Sequence, residues 1–399
     1  MKDRIVVTGI GCVCAQGANG PEIMRSIYHA PRGPEAPSTF QTPLADFPVF
    51  EVHEIAHAFR GRPLDPSRLT RTVRMAAQAL EEALDAAALG THELRQRRIA
   101  VLMGTTVGVT LSDTRFARDY SEGRSPDTGP YACFANSNPS LALQGILDIR
   151  ALPFTVVNAC ASSTDAIGLG KLLLESGAAD IAVAGGADEV CEVNHTGFAS
   201  LLIYSKRPCR PFDADRDGLN LGSGAAVLIL ERERDARRRG IRAEFFVGGY
   251  GTRADGYHMT APHPDGRGLR LAMEEALRES GLAPERLAFI NAHGTATKDN
   301  DQVEGRVFAQ LLPPGTPVVS TKGYTGHTLG AAGAIEAAVS LYALQNGLLM
   351  RSVGYAAFDE NCLIRPNTEL RPIRGDGFMS TSLGFGGANA ALVFRRETV

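Results

Sequence analysis

Long apolar runs, paired cysteines and an excess of either charge are what this sequence lacks. No stretch reaches the roughly 18 consecutive apolar residues of a membrane-spanning helix, which excludes a membrane span. The seven cysteines, Cys12, Cys14, Cys133, Cys160, Cys191, Cys209 and Cys362, are odd in number, scattered, and never spaced C-x-x-C. That spacing excludes a zinc clip and a disulfide framework, and it suits a reducing cytoplasm. Lys and Arg total 41 against 44 Asp and Glu, a formal net charge of -3 that argues against a nucleic-acid partner. The basic run Arg232 to Gly240, "RERDARRRG", is short and mixed in sign and reads as a solvated helix end. The opening "MKDRIVVTGIG" enters a strand pattern at once, leaving no room for a targeting peptide.

What is present is an alternation of short β-branched runs and Ala-rich stretches, the pattern of an α/β fold with buried sheets. "RIVVTGI", "RIAVLMG", "FTVVNA", "DIAVAGG" and "AAVLILE" read as strands of a first series, and "AEFFVGGYG", "LAFINAHG", "PVVSTK" and "AALVF" as strands of a second. Thr70 to Leu89 and Arg267 to Ser280 carry apolar residues near helical spacing. A chain of 399 residues exceeds what one core usually serves, and the boundary falls near residue 245, giving halves 1–245 and 246–399. The two halves share a style, which suggests duplication.

Three local patterns resemble ligand motifs and fail on a specific position. "DADRDG", Asp213 to Gly218, has the acidic spacing of a calcium loop, but the twelfth position is Gly224 where a bidentate Glu belongs. "TGIGCVCA" has two glycines of a dinucleotide fingerprint and Cys14 at the third. "GFGGANAA", Gly384 to Ala391, lacks the Lys-Ser/Thr ending of a phosphate loop and reads as a tight turn that brings N–H groups to a ligand.

"NACASST", Asn158 to Thr164, places Cys160 where a strand hands over to a helix. The helix N-terminus favours a thiolate there and should lower the pKa, although a buried inert cysteine is the plainer reading of any single thiol. "NAHGTAT" puts His293 at the end of another apolar strand, and "STKGYTGHTLGAAGA" puts Lys322 and His327 on a third strand-to-helix passage. A cysteine and two histidines at three strand ends can converge, which favours a site over three separate structural roles.

These segments, with "RPFDADRDGLNLGSGAAVLILE" and "GFGGAN", resemble the β-ketoacyl-[acyl carrier protein] synthases of the thiolase-like superfamily, in the family's order and over nearly the whole chain. The resemblance is strongest to elongating synthases with a Cys-His-His triad. It implies a thiolase-like five-layer αβαβα fold of two related halves and a homodimer. It also implies Cys160 as nucleophile, His293 and His327 as the decarboxylation and condensation pair, and Lys322 as the lysine that orders them. Glu304 matches an acidic residue near that lysine, Phe385 a gatekeeper, and Thr295 and Thr297 the residues that hold a phosphopantetheine arm; Thr260 is assigned to the same substrate-binding group. The expected reaction is decarboxylative condensation of an acyl group on Cys160 with malonyl-[acyl carrier protein], in fatty acid, polyketide or aryl polyene synthesis. No resident cofactor and no metal are expected, since phosphopantetheine arrives on the carrier.

Acyl carrier proteins are acidic, so Arg68, Arg71 and Arg74 at helical spacing, with Lys206 and Arg207, are candidate docking residues or ordinary solubilising charge. Tyr324 either narrows the substrate tunnel or packs in the core, and the segment Leu111 to Ser140 departs from common members. Two alternatives stand beside the synthase. One is an active or regulatory subunit of a ketosynthase/chain-length-factor heterodimer, the non-catalytic kind of which lacks the cysteine. The other is a coenzyme A-dependent thiolase, which would need a second catalytic cysteine at Cys362.

Overall fold

The computed structural model describes residues 3–106, 108 and 114–397. The first series of strands is β1 (Ile5–Cys14), β2 (Ile99–Gly104), β3 (Ala151–Val156), β4 (Ile181–Asp188) and β5 (Gly224–Arg232). The second is β6 (Phe245–Ala254), β7 (Leu287–Asn291), β8 (Val318–Val319), β9 (Gly377–Gly384) and β10 (Ala388–Arg396). All ten belong to one hydrogen-bonded array in the order β8-β7-β9-β10-β6-β1-β5-β4-β2-β3. Each series therefore runs third, second, fourth, fifth, first. They join where β1 and β6 pair antiparallel, Val6 opposite Phe246 and Val7 opposite Phe245.

Helices cover both faces. Helix α1 (Arg71–Ala86) is capped by Thr70, whose hydroxyl accepts the Val73 N–H, and it buries Val73, Met75, Leu80 and Leu84 against β1 and β5. Helix α4 (Arg267–Ser280) does the same on β6 and β10 with Leu269, Met273 and Leu277. Between the two halves of the array lie α2 (Ser162–Glu175) and α6 (Ala332–Asn346), packed on each other. Helix α6 is buried on all sides, so its sequence has no polar face to show. The result is five layers, α/β/α/β/α, with three apolar seams.

The seam between α1 and β1 depends on glycine. A Cβ at Gly9 would lie 2.0 Å from the Ala83 carbonyl oxygen and one at Gly11 1.9 Å from that of Ala79. The second half repeats the device, with Gly249 2.0 Å from the Ala276 oxygen and Gly251 2.1 Å from that of Ala272. Strand glycines that looked like part of a dinucleotide fingerprint are there to let a helix backbone approach.

Several expectations change. Strand β9, "GFMSTSLG", was not read from the sequence, because Ser380, Thr381 and Ser382 break the apolar run although all are buried. The basic run is a solvated helix end at Arg237 and Arg238, both exposed in the last turn, but its flanking arginines are not solvated. Arg232 closes β5 and is buried on Asp180 and Asp235, Glu233–Arg238 is a short helix of its own, and Arg239 pairs with Glu231. Asp213 of "DADRDG" is buried and accepts the N–H groups of Ala356, Ala357 and Asp215, tying two loops together. Tyr324 packs in the core and donates its hydroxyl to the Arg351 carbonyl at 2.7 Å. In the segment Leu111 to Ser140, residues 111–113 lie outside the described residues; the rest includes two short helices, Arg115–Ser121 and Gly129–Ala135.

Candidate active site

Cys160 sits in the turn between β3 and α2. β3 stops at Val156, and Ala159 takes a left-handed φ of 48° to swing the chain into the helix. That conformation costs an L-residue ~1–2 kcal/mol. It is held by Ser162, whose hydroxyl accepts the Asn158 N–H at 2.8 Å and donates to the Ala159 carbonyl at 2.6 Å. Gly384 lies across the turn; a Cβ there would come within 3.2 Å of both Ala159 Cβ and the Cys160 nitrogen. This close approach lets the backbone N–H of Phe385 point at the Cys160 sulfur.

His293 follows β7. Its N–H and that of Gly294 donate to the two oxygens of Glu304 at 2.8 and 2.6 Å. His327 is fixed by its own backbone, donating to the Asn220 carbonyl at 2.7 Å and accepting from the Gly222 N–H at 3.0 Å. The two rings meet edge to face, 5.2 Å between centroids, and His327 Nε2 is 3.0 Å from Cys160 Sγ. Ligand atoms of Cys160, His293 and His327 all lie within 4.8 Å of one another.

The partners of the inner nitrogens fix what each ring presents. His293 Nδ1 accepts from the Lys322 ammonium at 3.1 Å, and His327 Nδ1 accepts from the Leu329 N–H at 3.2 Å. A neutral imidazole whose Nδ1 accepts must carry its proton on Nε2. Both rings thus offer Nε2–H donors to the space above the sulfur. A metal would need an Nε2 lone pair, so this tautomer is set against ligation although the spacing would allow it.

Burial and the Lys322 charge hold both imidazoles well below their ordinary pKa. They are neutral at physiological pH. Burial also pushes the Cys160 thiol up to about 11, against the pull of Lys322 and of the Phe385 N–H. The lowered thiol pKa expected from the helix end is therefore corrected: desolvation outweighs the dipole. Lys322 spends its three protons on His293 Nδ1, on the His293 carbonyl at 2.6 Å, and on Glu336.

A cavity of about 470 Å³ opens over the triad and is lined by Cys160, His293, His327, Thr295, Thr297, Thr260 and Phe385. Thr295 and Thr297 share a hydroxyl–hydroxyl bond of 2.8 Å on its wall. Phe385 stacks on Phe198 at 5.7 Å, and Phe198 also meets the His327 ring edge-on.

Glu304, expected among the substrate-binding residues, is corrected to a structural anchor. It is fully buried, and besides the two N–H groups it accepts from Asn300 and Thr381. The carboxylate that meets Lys322 is Glu336, which the sequence reading missed; its signal was a lone acid within the apolar "GAIEAAV". Phe198 was missed too, and nothing in its sequence neighbourhood marks it. Cys362 is buried beside Asp359 and is not among the residues lining the cavity. Arg71 turns inward to the Val52 carbonyl, while Lys206 and Arg207 are exposed but paired with Asp46 and Asp217.

Comparison with known proteins gives the same picture along the chain. The family model described as "Beta-ketoacyl synthase, N-terminal domain" matches residues 2–236, and "Beta-ketoacyl synthase, C-terminal domain" matches residues 245–356. The chain is 32% identical to 3-oxoacyl-[acyl-carrier-protein] synthase 2 of Synechocystis sp., covering 99% of this chain and 98% of that protein. It is 33% identical to the tetracenomycin polyketide synthase ketoacyl synthase alpha subunit of Streptomyces glaucescens, over 99% and 97%. Among solved structures, the ishigamide ketosynthase/chain length factor superposes with a TM-score of 0.92 at 27% identity, covering 100% of both chains. The fold is thiolase-like. Matched along both halves and over the full length of curated relatives, the chain belongs to the beta-ketoacyl synthase family.

Proposed function

We propose that the protein is an acyltransferase that extends an acyl chain by two carbons, using malonyl-[acyl carrier protein] in a decarboxylative Claisen condensation. The observation that carries the reading is the meeting of one thiol and two Nε2–H imidazoles on the floor of an accessible cavity.

Cys160 attacks the acyl thioester of a first carrier. The carbon–sulfur bond to the carrier breaks, and the thiol proton ends on the departing thiolate, so no net base is consumed. The N–H of Phe385, which points at the Cys160 sulfur, and that of Cys160 itself would donate to the oxygen that gains charge. Malonyl thioester then enters along Thr260, Thr295 and Thr297, which line the way to the sulfur and would hold the phosphopantetheine arm. Loss of carbon dioxide places enolate charge on the thioester oxygen, where the two Nε2–H groups stabilise it. The carbon attacks the acyl carbonyl, the bond from that carbonyl to the Cys160 sulfur breaks, and the departing thiolate takes a proton from solvent to restore the thiol. Burial, with the Lys322 charge beside it, keeps His293 neutral, so the ring offers its Nε2–H as a hydrogen-bond donor. No resident cofactor or metal enters this scheme.

As proposed, the chain divides near residue 245 into halves that supply the sulfur and the imidazoles respectively. Seven free cysteines support a reducing compartment, the cytoplasm. Among the described residues no helix is long and apolar enough to cross a membrane. An acyl carrier protein is the partner at the cavity mouth, and a second chain, identical or chain-length-factor-like, is the partner at β3. A solved relative titled as a ketosynthase/chain length factor supports the heterodimer reading, in which this chain would be the active half. The thiolase reading loses support because Cys362 does not line the cavity.

Cys160→Ala should abolish self-acylation, whereas His293→Ala should retain an acyl-enzyme and lose condensation. Intact-mass spectrometry after incubation with acyl carrier reads both, and a normal acyl adduct on the Cys160 variant would overturn the assignment.

A further inference from the structure

Asp188, the last residue of β4, is fully buried and lies outside the triad. One carboxylate oxygen accepts the Thr105 hydroxyl at 2.6 Å; the other accepts the Thr106 N–H at 2.8 Å, the Thr106 hydroxyl at 3.0 Å and the Gly330 N–H at 2.7 Å. It therefore clips the end of β2 to the turn 328–331. The two segments are already in backbone contact, since a Cβ on Gly330 would lie 2.5 Å from the Thr105 carbonyl carbon.

That turn contains Leu329, held at a left-handed φ of 55°. A branched side chain adopts this conformation only when its surroundings fix it. Leu329 also supplies the N–H that His327 Nδ1 accepts. The His327 backbone is anchored on the other side, to Asn220 and Gly222, so among the described contacts it is the 328–331 turn that supplies the hydrogen bond to the ring's Nδ1.

We infer that Asp188 is a positioning residue for the condensation reaction: by clamping Gly330 it holds the strained Leu329 N–H against His327 Nδ1 and so keeps the proton of that ring on Nε2, facing the substrate. The inference rests on the role proposed above for His327. Asp188 never touches the cavity. Its charge also acts at a distance on Cys160, whose thiol it helps to raise.

The test compares Asp188→Ala and Asp188→Asn with the wild-type enzyme. In 15N-histidine-labelled protein the His327 signals should report a single Nε2–H tautomer in the wild type, a mixture in Asp188→Ala, and recovery of the Nε2–H form in Asp188→Asn, whose side-chain oxygen can still accept from Gly330. Condensation kcat should fall at least tenfold in Asp188→Ala with the KM for malonyl carrier little changed, and recover in part in Asp188→Asn. An unchanged tautomer in folded Asp188→Ala, or undiminished condensation, overturns the inference. Wild-type enzyme that acylates but does not condense would instead sink the function proposed for His327, while the tautomer readout would still decide the role of Asp188.

Discussion

The buried histidines and carboxylates of the site pull stability in opposite directions with pH. His327 is depressed below 6.5 by burial, so below that pH the unfolded ring takes a proton that the folded ring refuses. Its contribution is present above 6.5 and is lost as pH falls beneath it. Glu304 and Glu336 are raised by burial from 4.5 to about 7, so the folded state holds protons that the unfolded state has released between those values, and their contribution declines as pH rises through the window. His327→Gln removes one side of this balance. Its stability deficit relative to the wild type should shrink as pH falls from 7 to 5, by up to about 1.4 kcal/mol per pH unit. Urea unfolding at each pH reads it, and a pH-independent difference would mean that the ring titrates normally. At this scale the sequence was legible where chemistry demands a rare residue type. Cys160, His293, His327 and Lys322 announced themselves at strand ends. Asp188 and Glu336 did not, because a buried acid looks like a surface acid until its surroundings are known.

At the scale of elements, the seams between strand and helix decide what was readable. Helix Arg267–Ser280 was read to its ends because its apolar stripe faces a sheet and its other face meets water. Strand β9 was missed and α6 shows no stripe, since both are surrounded by protein and neither has a wet side to set a period. The glycines of β1 and β6 were visible but their reason was not, because a close approach between backbones leaves no periodic trace. Gly9→Ala and Gly249→Ala should each push helix from strand and cost ~1–3 kcal/mol by overpacking. Chemical denaturation of both variants checks this, and a neutral result at either would show that its seam can open without strain.

At the scale of the whole molecule, β3 ends the array with a bare edge. Leu152, Phe154 and the adjoining Val157 are all exposed, as is Leu172 on α2. Proteins seldom leave an apolar edge strand to solvent, which is why the second chain proposed above belongs here. Leu152→Lys should give a folded monomer by sedimentation equilibrium where the wild type gives a dimer; a dimer that survives the change would move the interface elsewhere. The alternation of strands and helices was legible in the sequence, whereas this edge was not, since "ALPFTV" looks the same whether one face or both are covered.

The identical strand order in the two series places Cys160 and the pair Lys322 and His327 at corresponding points, each on the passage from a third strand to a central helix. The two junctions meet where His327 Nε2 lies 3.0 Å from Cys160 Sγ. Each half thus brings to the proposed chemistry what the other lacks, a sulfur from one junction and an imidazole from its counterpart, and neither would suffice alone.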